Sequence, residues 1–302
     1  MNKIKKFLGD PYYVFGNYMM KHCPKLMSDK WYLKVMWKRC MGYKLDLEHP
    51  KTFNEKLQWL KLYDRKSIYT TMVDKYKAKQ WVANRIGEQY VVPTLAAYNS
   101  VDEIDLDKLP DKFVLKCNHD CGSVVICKDK STFDLEAAKK TLAAAMEKNY
   151  YWKAREWPYK NVKRVVLAEK FLEVPEANDL IDYKMMAFGG KVKCGFTCTN
   201  RRSDEGLYVT FYDTDWKKMP FERTYPAEVK PVEKPASYEL MIELAEKLSE
   251  NLPFSRVDFY EIEGKPYFGE ITLYPGAGFE AFEPKEWDKT LGDWIELPKD
   301  CS

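Results

Sequence analysis

Residues 254–279 constrain this chain more than any other stretch. They read Phe-Ser-Arg-Val-Asp-Phe-Tyr-Glu-Ile-Glu-Gly-Lys-Pro-Tyr-Phe-Gly-Glu-Ile-Thr-Leu-Tyr-Pro-Gly-Ala-Gly-Phe. Val257, Phe259 and Ile262 are strand formers, Glu263-Gly264-Lys265-Pro266 is a turn signal, and residues 267–273 are strand-like again. The resulting hairpin carries Asp258 on one strand and Glu270 on the other. Two carboxylates on adjacent strands can share a divalent cation, and Mg²⁺ favours one or two carboxylates completed by phosphate oxygens. A solvated hairpin with scattered acids fits the same letters. The tail Tyr274-Pro275-Gly276-Ala277-Gly278 favours a site, because small residues after an acidic strand let backbone N–H groups approach a charged ligand.

The chain has 302 residues, enough for one large or two ordinary domains and a sizeable core. Charged residues make up 31% and aromatics 15%, a globular rather than disordered balance. A net charge of +3 is too near neutral to point to nucleic acid. The charge is unevenly placed: residues 1–45 hold ten Lys/Arg against two Asp, so +8 sits there and 3 − 8 = −5 on the remainder. Uncharged apolar runs fall short of the ~18–20 residues of a spanning helix. Residues 1–20 lack the continuous apolar core and small-residue cleavage site of a signal peptide. The expectation is a cytoplasmic protein whose eight cysteines are free thiols. Cys117, Cys121 and Cys127 surround His119, and Cys194 lies near Cys198, but neither set holds a Cys-x-x-Cys pair, which argues against zinc.

Residues 1–45 interleave aromatics with Lys, and Ser28 or Asp29 can cap a helix running to Met41 and stopping at Gly42. Such a segment can lie on an anionic membrane surface, or form a helical layer on the main body with Lys at its rim. Thr52-Phe53-Asn54-Glu55 has capping-box spacing and opens a helix with Phe53, Leu57 and Leu60 on one face. A further helix starts around Asp74, with Lys75 at its beginning, and stops at Gly87. Residues 113–117 read as a buried strand carrying Lys116, followed by a polar turn, Asn118 to Ser123, and a strand over 124–127. A Lys beside such a turn suits phosphate oxygens as a point charge. A lone His in that turn is, on residue type, a hydrogen-bonded loop residue. A helix is expected over 131–148 and a strand over 164–173. Residues 182–196 form a second hairpin around Gly189-Gly190. Arg201-Arg202 lie in a polar loop that either holds an anion or faces water. Residues 226–235 connect to a helix over 237–251 with Leu240, Leu244 and Leu248 inward.

Arg-Val-Asp, Glu-Ile-Thr twelve residues after its Asp, the following Pro-Gly, and the segment Lys-Thr-Phe-Asn-Glu-Lys-Leu-Gln-Trp-Leu together resemble the ATP-grasp fold. Within that fold they resemble the TupA-like branch, found with bacterial cell-surface polysaccharide genes. The resemblance covers residues 51–298. It implies an α+β fold whose two lobes clasp ATP, with an N-terminal helical, basic segment at 1–65. The ATP-grasp domain would occupy 66–302, with a hinge near 169–173. It further implies a cytoplasmic carboxylate–amine ligase acting through an acyl phosphate on a polysaccharide precursor, with sugar- or amino-acid-linked substrates.

The same resemblance implies a set of site residues. Lys116, His119, Glu169, Lys170, Asp182 and Lys184 would hold ATP, with Glu169 accepting from the adenine amino group. Asp258 and Glu270 would hold Mg²⁺, together with Thr272, which stands where many ATP-grasp enzymes have Asn. Arg256 and Lys184 would be catalytic, aided by backbone N–H groups near Gly276. Peripheral contact with the anionic inner membrane would fall to the N-terminal segment. Two other readings stay open: a glycosyltransferase whose acidic pair binds a nucleotide-sugar, and an ATP-grasp module without catalysis, for which Thr272 is the hint.

Overall fold

A computed structural model of the chain describes residues 11–173, 181–200 and 206–299. Two helices come first, α1 (Pro11–His22) and α2 (Asp29–Met41). Ser28 accepts a hydrogen bond from the Trp31 amide and Gly42 takes φ 84°, so α2 starts and stops where capping chemistry predicts. Tyr13 and Gly16 face α2, where Tyr32 and Val35 are buried. A Cβ on Gly16 would lie 2.5 Å from Val35, so the glycine permits the close crossing. This layer is pinned to the body by Arg155, which is 1% exposed, pairs with Asp29, and lies 4.3 Å from the Tyr32 ring and 4.6 Å from Trp152. The helical-layer expectation therefore describes the inner side of α1 and α2. The outer side leaves Tyr12, Phe15 and Tyr18 exposed. No helix among the described residues is long and apolar enough to cross a membrane.

Helix α3 (Phe53–Tyr63) opens on the complete capping box of Thr52 and Glu55. Its apolar residues Phe53, Leu57 and Leu60 enter the main core. A boundary between residues 65 and 66 cuts across this packing. Next come α4 (Ile68–Val73) and α5 (Lys77–Ile86). The Asp74 carboxylate between them accepts from the Tyr76 amide at 3.0 Å and from Asn118 Nδ2 at 2.8 Å.

Strands β1 (Thr94–Tyr98), β2 (Phe113–Cys117), β3 (Val124–Cys127) and β4 (Val166–Lys170) form an antiparallel sheet in the order β1-β4-β2-β3. Between β3 and β4 lie α6 (Leu135–Met146) and the single turn α7 (Tyr151–Ala154). Asp134 caps α6, and Leu142 and Ala145 pack with Leu115 and Val166 in a separate small core.

The chain then enters a larger sheet, past residues 174–180, which lie outside the described ones. It contains β5 (Asp182–Phe188), β6 (Lys191–Thr199) and β7 (Tyr208–Asp213). After the short β8 (Glu222–Arg223) and helix α8 (Tyr238–Leu248) come β9 (Phe254–Ile262) and β10 (Lys265–Thr272). The order is β10-β9-β5-β6-β7, antiparallel throughout. Both expected hairpins form, with positive φ at Gly189 and Gly190 and at Glu263 and Gly264, the pair of left-handed residues that matches strand twist. Pro266 falls inside β10 rather than in the turn; an edge strand tolerates it, because its missing N–H is not needed on the open side. Beneath the sheet α8 buries Tyr238, Met241, Leu244, Ala245 and Leu248, while Leu240 is only half-buried. Finally β11 (Phe282–Glu283) pairs with β8, and α9 (Glu286–Asp293) packs on α3.

Candidate active site between the sheets

The side-chain period of two assigns one face of the large sheet to polar chemistry. Val257, Phe259 and Ile271 point to the core. Arg256, Asp258 and Glu270 point the other way, into a cavity of about 350 Å³ lined also by Lys184 and Asp182. Register does the rest: Asp258 sits opposite Glu270 on one side and opposite Lys184 on the other, so three strands bring these groups into one row. Across the cavity, β2 and its turn contribute Lys116 and Asp120 to Val124.

The acids are fully engaged. Arg256 makes a fork to Asp258, Nε to Oδ1 at 2.7 Å and Nη2 to Oδ2 at 2.7 Å, and reaches Glu270 Oε1 at 3.1 Å. Lys184 Nζ donates to Asp258 Oδ2 and lies 3.8 Å from Asp182. Lys75 Nζ pairs with Glu270 Oε2 at 3.2 Å and donates to the Asp120 carbonyl at 2.7 Å. Burial opposes the Glu270 charge, but Lys75, Arg256 and Lys184 outweigh it and hold this carboxyl well below the usual range. Burial likewise opposes the Arg256 charge, and the two carboxylates reverse the balance and raise its pKa. The Thr272 hydroxyl, expected as a metal donor, donates to Glu270 Oε1 at 3.4 Å and so orients that carboxylate.

Other expected residues are placed differently. Glu169 is 4% exposed and forms ion pairs with Lys116 at 2.6 Å and with Lys79, which fixes Lys116 from behind rather than presenting an acceptor to the cavity. Burial raises the Glu169 pKa less than the two lysines lower it. His119 does not reach the cavity: its ring is buried under the end of α6, with Nε2 at 3.3 Å from the Ala145 carbonyl and 3.1 Å from that of Lys148. The adjacent Asn118 is the tie here, bonding Asp74, the Lys163 carbonyl and the Val165 amide. Lys170 ends β4 with an exposed side chain, and its amide donates to the Pro93 carbonyl. In the Gly-rich tail the Ala277 and Phe279 amides bond the Tyr274 and Gly276 carbonyls within the loop, so those two are not offered to a ligand. Arg201 and Arg202 lie outside the described residues.

Several contributors had no role in the sequence reading. Lys75, noted there only at a helix start, and Lys79, four residues on, bridge the two sheets by reaching Glu270 in one and Glu169 in the other. On α3 a buried polar row, Asn54, Gln58 and Lys61, holds the loop after β10: Asn54 donates to the Glu280 carbonyl, Gln58 to those of Ala277 and Gly278, and Lys61 to that of Ala277. The signal was the i, i+4, i+7 spacing of these three residues, beside the apolar row. Arg223 and Glu280 join the cavity wall with a 2.8 Å ion pair. Close to Lys61, Glu156 is 4% exposed, and burial, only partly offset by Lys61, pushes its carboxyl up to about 7.

Asp258 and Glu270 suit a hard divalent cation by donor type and placement, since one guanidinium already touches both. Among the described residues no three His, Cys, Asp or Glu side chains gather as a metal site. A cation here would rely on these two and on oxygens of its ligand.

Two antiparallel sheets with a lysine-lined turn on one side and aligned acids on the other define the class: this is an ATP-grasp fold. More narrowly, the chain belongs to the TupA-like ATPgrasp family, whose profile matches residues 55–296. No curated protein matches it. Solved structures that match include D-alanine–D-alanine ligase from Bacillus anthracis complexed with ATP, at 18% identity over 74% of this chain and 63% of that one, TM-score 0.42. A RimK domain ATP-grasp protein from Sphaerobacter thermophilus matches at 15% identity over 77% and 70%, TM-score 0.41. N5-carboxyaminoimidazole ribonucleotide synthetase from Thermus thermophilus matches at 13% over 75% and 53%, TM-score 0.41. The chain thus spans less than two thirds of the length of the first of these enzymes.

Proposed function

We propose that this protein is an ATP-dependent carboxylate–amine ligase that activates an acid as an acyl phosphate and passes the acyl group to an amine. The observation that carries the reading is Arg256, a guanidinium bridging Asp258 and Glu270 in a cavity that already has Lys116 and Lys184. Lysines suffice to neutralise phosphates; a planar fork beside the acids suits a carboxylate being activated.

In this reading Lys116 and Lys184 face the phosphate oxygens. Glu169 positions Lys116, and Thr272 orients Glu270. Asp258 and Glu270 would hold Mg²⁺, which supplies charge neutralisation across the phosphates. Arg256 stabilises negative charge that grows on the acyl centre. Asp182, beside Lys184, would bond the ribose. The acceptor chemistry follows the family: an amino acid or amine joined to a cell-surface polysaccharide precursor, in the cytoplasm.

The test offers ATP, Mg²⁺ and a panel of uronic, amino and hydroxy acids to the purified protein with hydroxylamine in place of the amine. Hydroxamate and ADP in the presence of one acid class is the expected outcome. A nucleotide released from a UDP-sugar without ATP would establish the glycosyltransferase instead, and a phosphorylated hydroxyl would establish a kinase.

A second reading concerns the N-terminal layer. Tyr12, Phe15 and Tyr18 are 55–59% exposed on α1, beside Lys21 and Lys25. Aromatics at this exposure with basic neighbours fit peripheral contact with an anionic membrane.

A further inference from the structure

The three cations on the acidic row do not hold it in the same way. Asp258 Oδ2 accepts from Lys184 Nζ, which also lies 3.8 Å from Asp182. Glu270 Oε2 pairs with Lys75 Nζ at 3.2 Å, and that amine also donates to the Asp120 carbonyl at 2.7 Å. Each acid thus has one lysine of its own, and each lysine has a second anchor. Arg256 is the third cation on two carboxylates. Its Nε donates to Asp258 Oδ1 at 2.7 Å, and its Nη2 spans Asp258 Oδ2 at 2.7 Å and Glu270 Oε1 at 3.1 Å. Both Asp258 oxygens are therefore held by this guanidinium. A cation shared by Asp258 and Glu270 must take at least one of them, so it meets Arg256, and the two positive groups repel one another.

The guanidinium can leave without any movement of the backbone. Arg256 and Asp258 are two residues apart on β9. They share one face, about 6–7 Å apart along the strand. The fork forms because the side chain folds back along its own strand, and a change of rotamer undoes it. The Phe196 ring, 5.8 Å from the guanidinium, is a face on which the cation can stay. Its departure leaves the Asp258–Lys184 and Glu270–Lys75 pairs in place. Neither acid becomes an unpaired buried charge, which is the costly outcome.

We propose that Arg256 gates this site: its guanidinium and a divalent cation compete for the oxygens of Asp258 and Glu270, so the fork turns to a substrate carboxylate only once the cation is in place. The proposal rests on the ligase reading above and adds an order to it, cation before acid. The order has a chemical use. If Arg256 turned to the acid with no cation on the row, the substrate carboxylate would face two carboxylates that had just lost a shared positive partner.

The test reads affinity for Mn²⁺ alone, by calorimetry on the full chain without nucleotide. Arg256→Gln binds Mn²⁺ about tenfold or more tightly than the unaltered protein, because the competitor is gone. Loss of a positive charge acts in the same direction, so Arg256→Lys is the deciding variant. It keeps the charge, loses the fork that spans both acids, and binds Mn²⁺ about threefold or more tightly. Melting curves show which variants fold, and the charge-conserving variant decides where Arg256→Gln does not fold. In the unaltered protein Mn²⁺, across the same titration, speeds phenylglyoxal labelling of Arg256, read by peptide mapping, because the carboxylates no longer shield it. Mn²⁺ binding by folded Arg256→Lys that equals or falls below that of the unaltered protein overturns the gate and leaves the ligase reading standing. Labelling that Mn²⁺ slows or leaves unchanged does the same. Unaltered protein that binds neither Mn²⁺ alone nor Mn²⁺ with a non-hydrolysable ATP analogue overturns both.

Discussion

Gly276→Ala tests whether the loop after β10 exists to place a carboxylate. Gly276 has φ 59°, and an alanine in this left-handed region costs about 1–2 kcal/mol. All three nearest atoms to the new methyl belong to Glu280, at 2.3, 2.4 and 2.7 Å. Because that side chain is flexible, it swings away and its 2.8 Å pair with Arg223 breaks. Loss of the partner of a fully buried ion costs about 3–5 kcal/mol; with Glu280 at 30% side-chain exposure, about 2–3 is the share expected here. The sum is roughly 3–5 kcal/mol, read as a lower urea midpoint at unchanged slope. A double-mutant cycle separates the two parts. Glu280→Ala removes the obstacle, so the methyl should then cost only the backbone share, and the coupling between the two changes should be about 2–3 kcal/mol. Additivity within about 0.5 kcal/mol would refute the reasoning and leave Gly276 a purely conformational requirement.

Three further outcomes are expected. Lys116→Ala should weaken ATP binding at least tenfold by calorimetry, about 1.4 kcal/mol, with little change in melting temperature; equal affinity would remove Lys116 from the site. The Glu156 carboxyl is raised by burial from the model-compound value of 4.5 to about 7. A carboxyl raised on folding stabilises fully below the unfolded value and loses that contribution as pH rises through the folded one. Wild-type stability should therefore fall relative to Glu156→Gln between about pH 4.5 and 7; parallel curves would contradict it. Sedimentation with anionic vesicles should carry the protein down at low salt and release it at high salt, and Phe15→Ser should weaken the binding. Salt-independent or absent sedimentation would leave α1 and α2 as a packed layer alone.

What the sequence revealed followed from periods and caps. The hairpin put Asp258 and Glu270 on adjacent strands before any fold was known, and the turn residues set both hairpins; that the two acids share a face with Arg256 follows from the register. Ser28, Gly42 and the capping box marked helix ends by chemistry local to a few residues. The misreadings share one cause: the deciding partner is remote in sequence. That the carbonyls of the glycine tail are held by Gln58 and Lys61 could not be read locally, because both donors lie on α3. His119 is buried by the end of α6, which nothing in its own turn announces. Arg223 and Glu280 meet through β8 and β11, ladders of two residues each, too short to leave a pattern. Lys79 could be found only from Glu169, which two lysines claim.

The central claim is that an acyl phosphate forms in the cavity of Arg256, and the fate of one oxygen tests it most directly. The acid identified by hydroxylamine trapping is labelled with ¹⁸O in its carboxylate and turned over with ATP, Mg²⁺ and hydroxylamine. Acyl-phosphate chemistry forms the carboxylate-oxygen-to-phosphorus bond first, then breaks the acyl carbon–oxygen bond as the amine attacks. The account predicts ADP and inorganic phosphate that carries one labelled oxygen per turnover. Unlabelled phosphate, or label found in AMP, would contradict it.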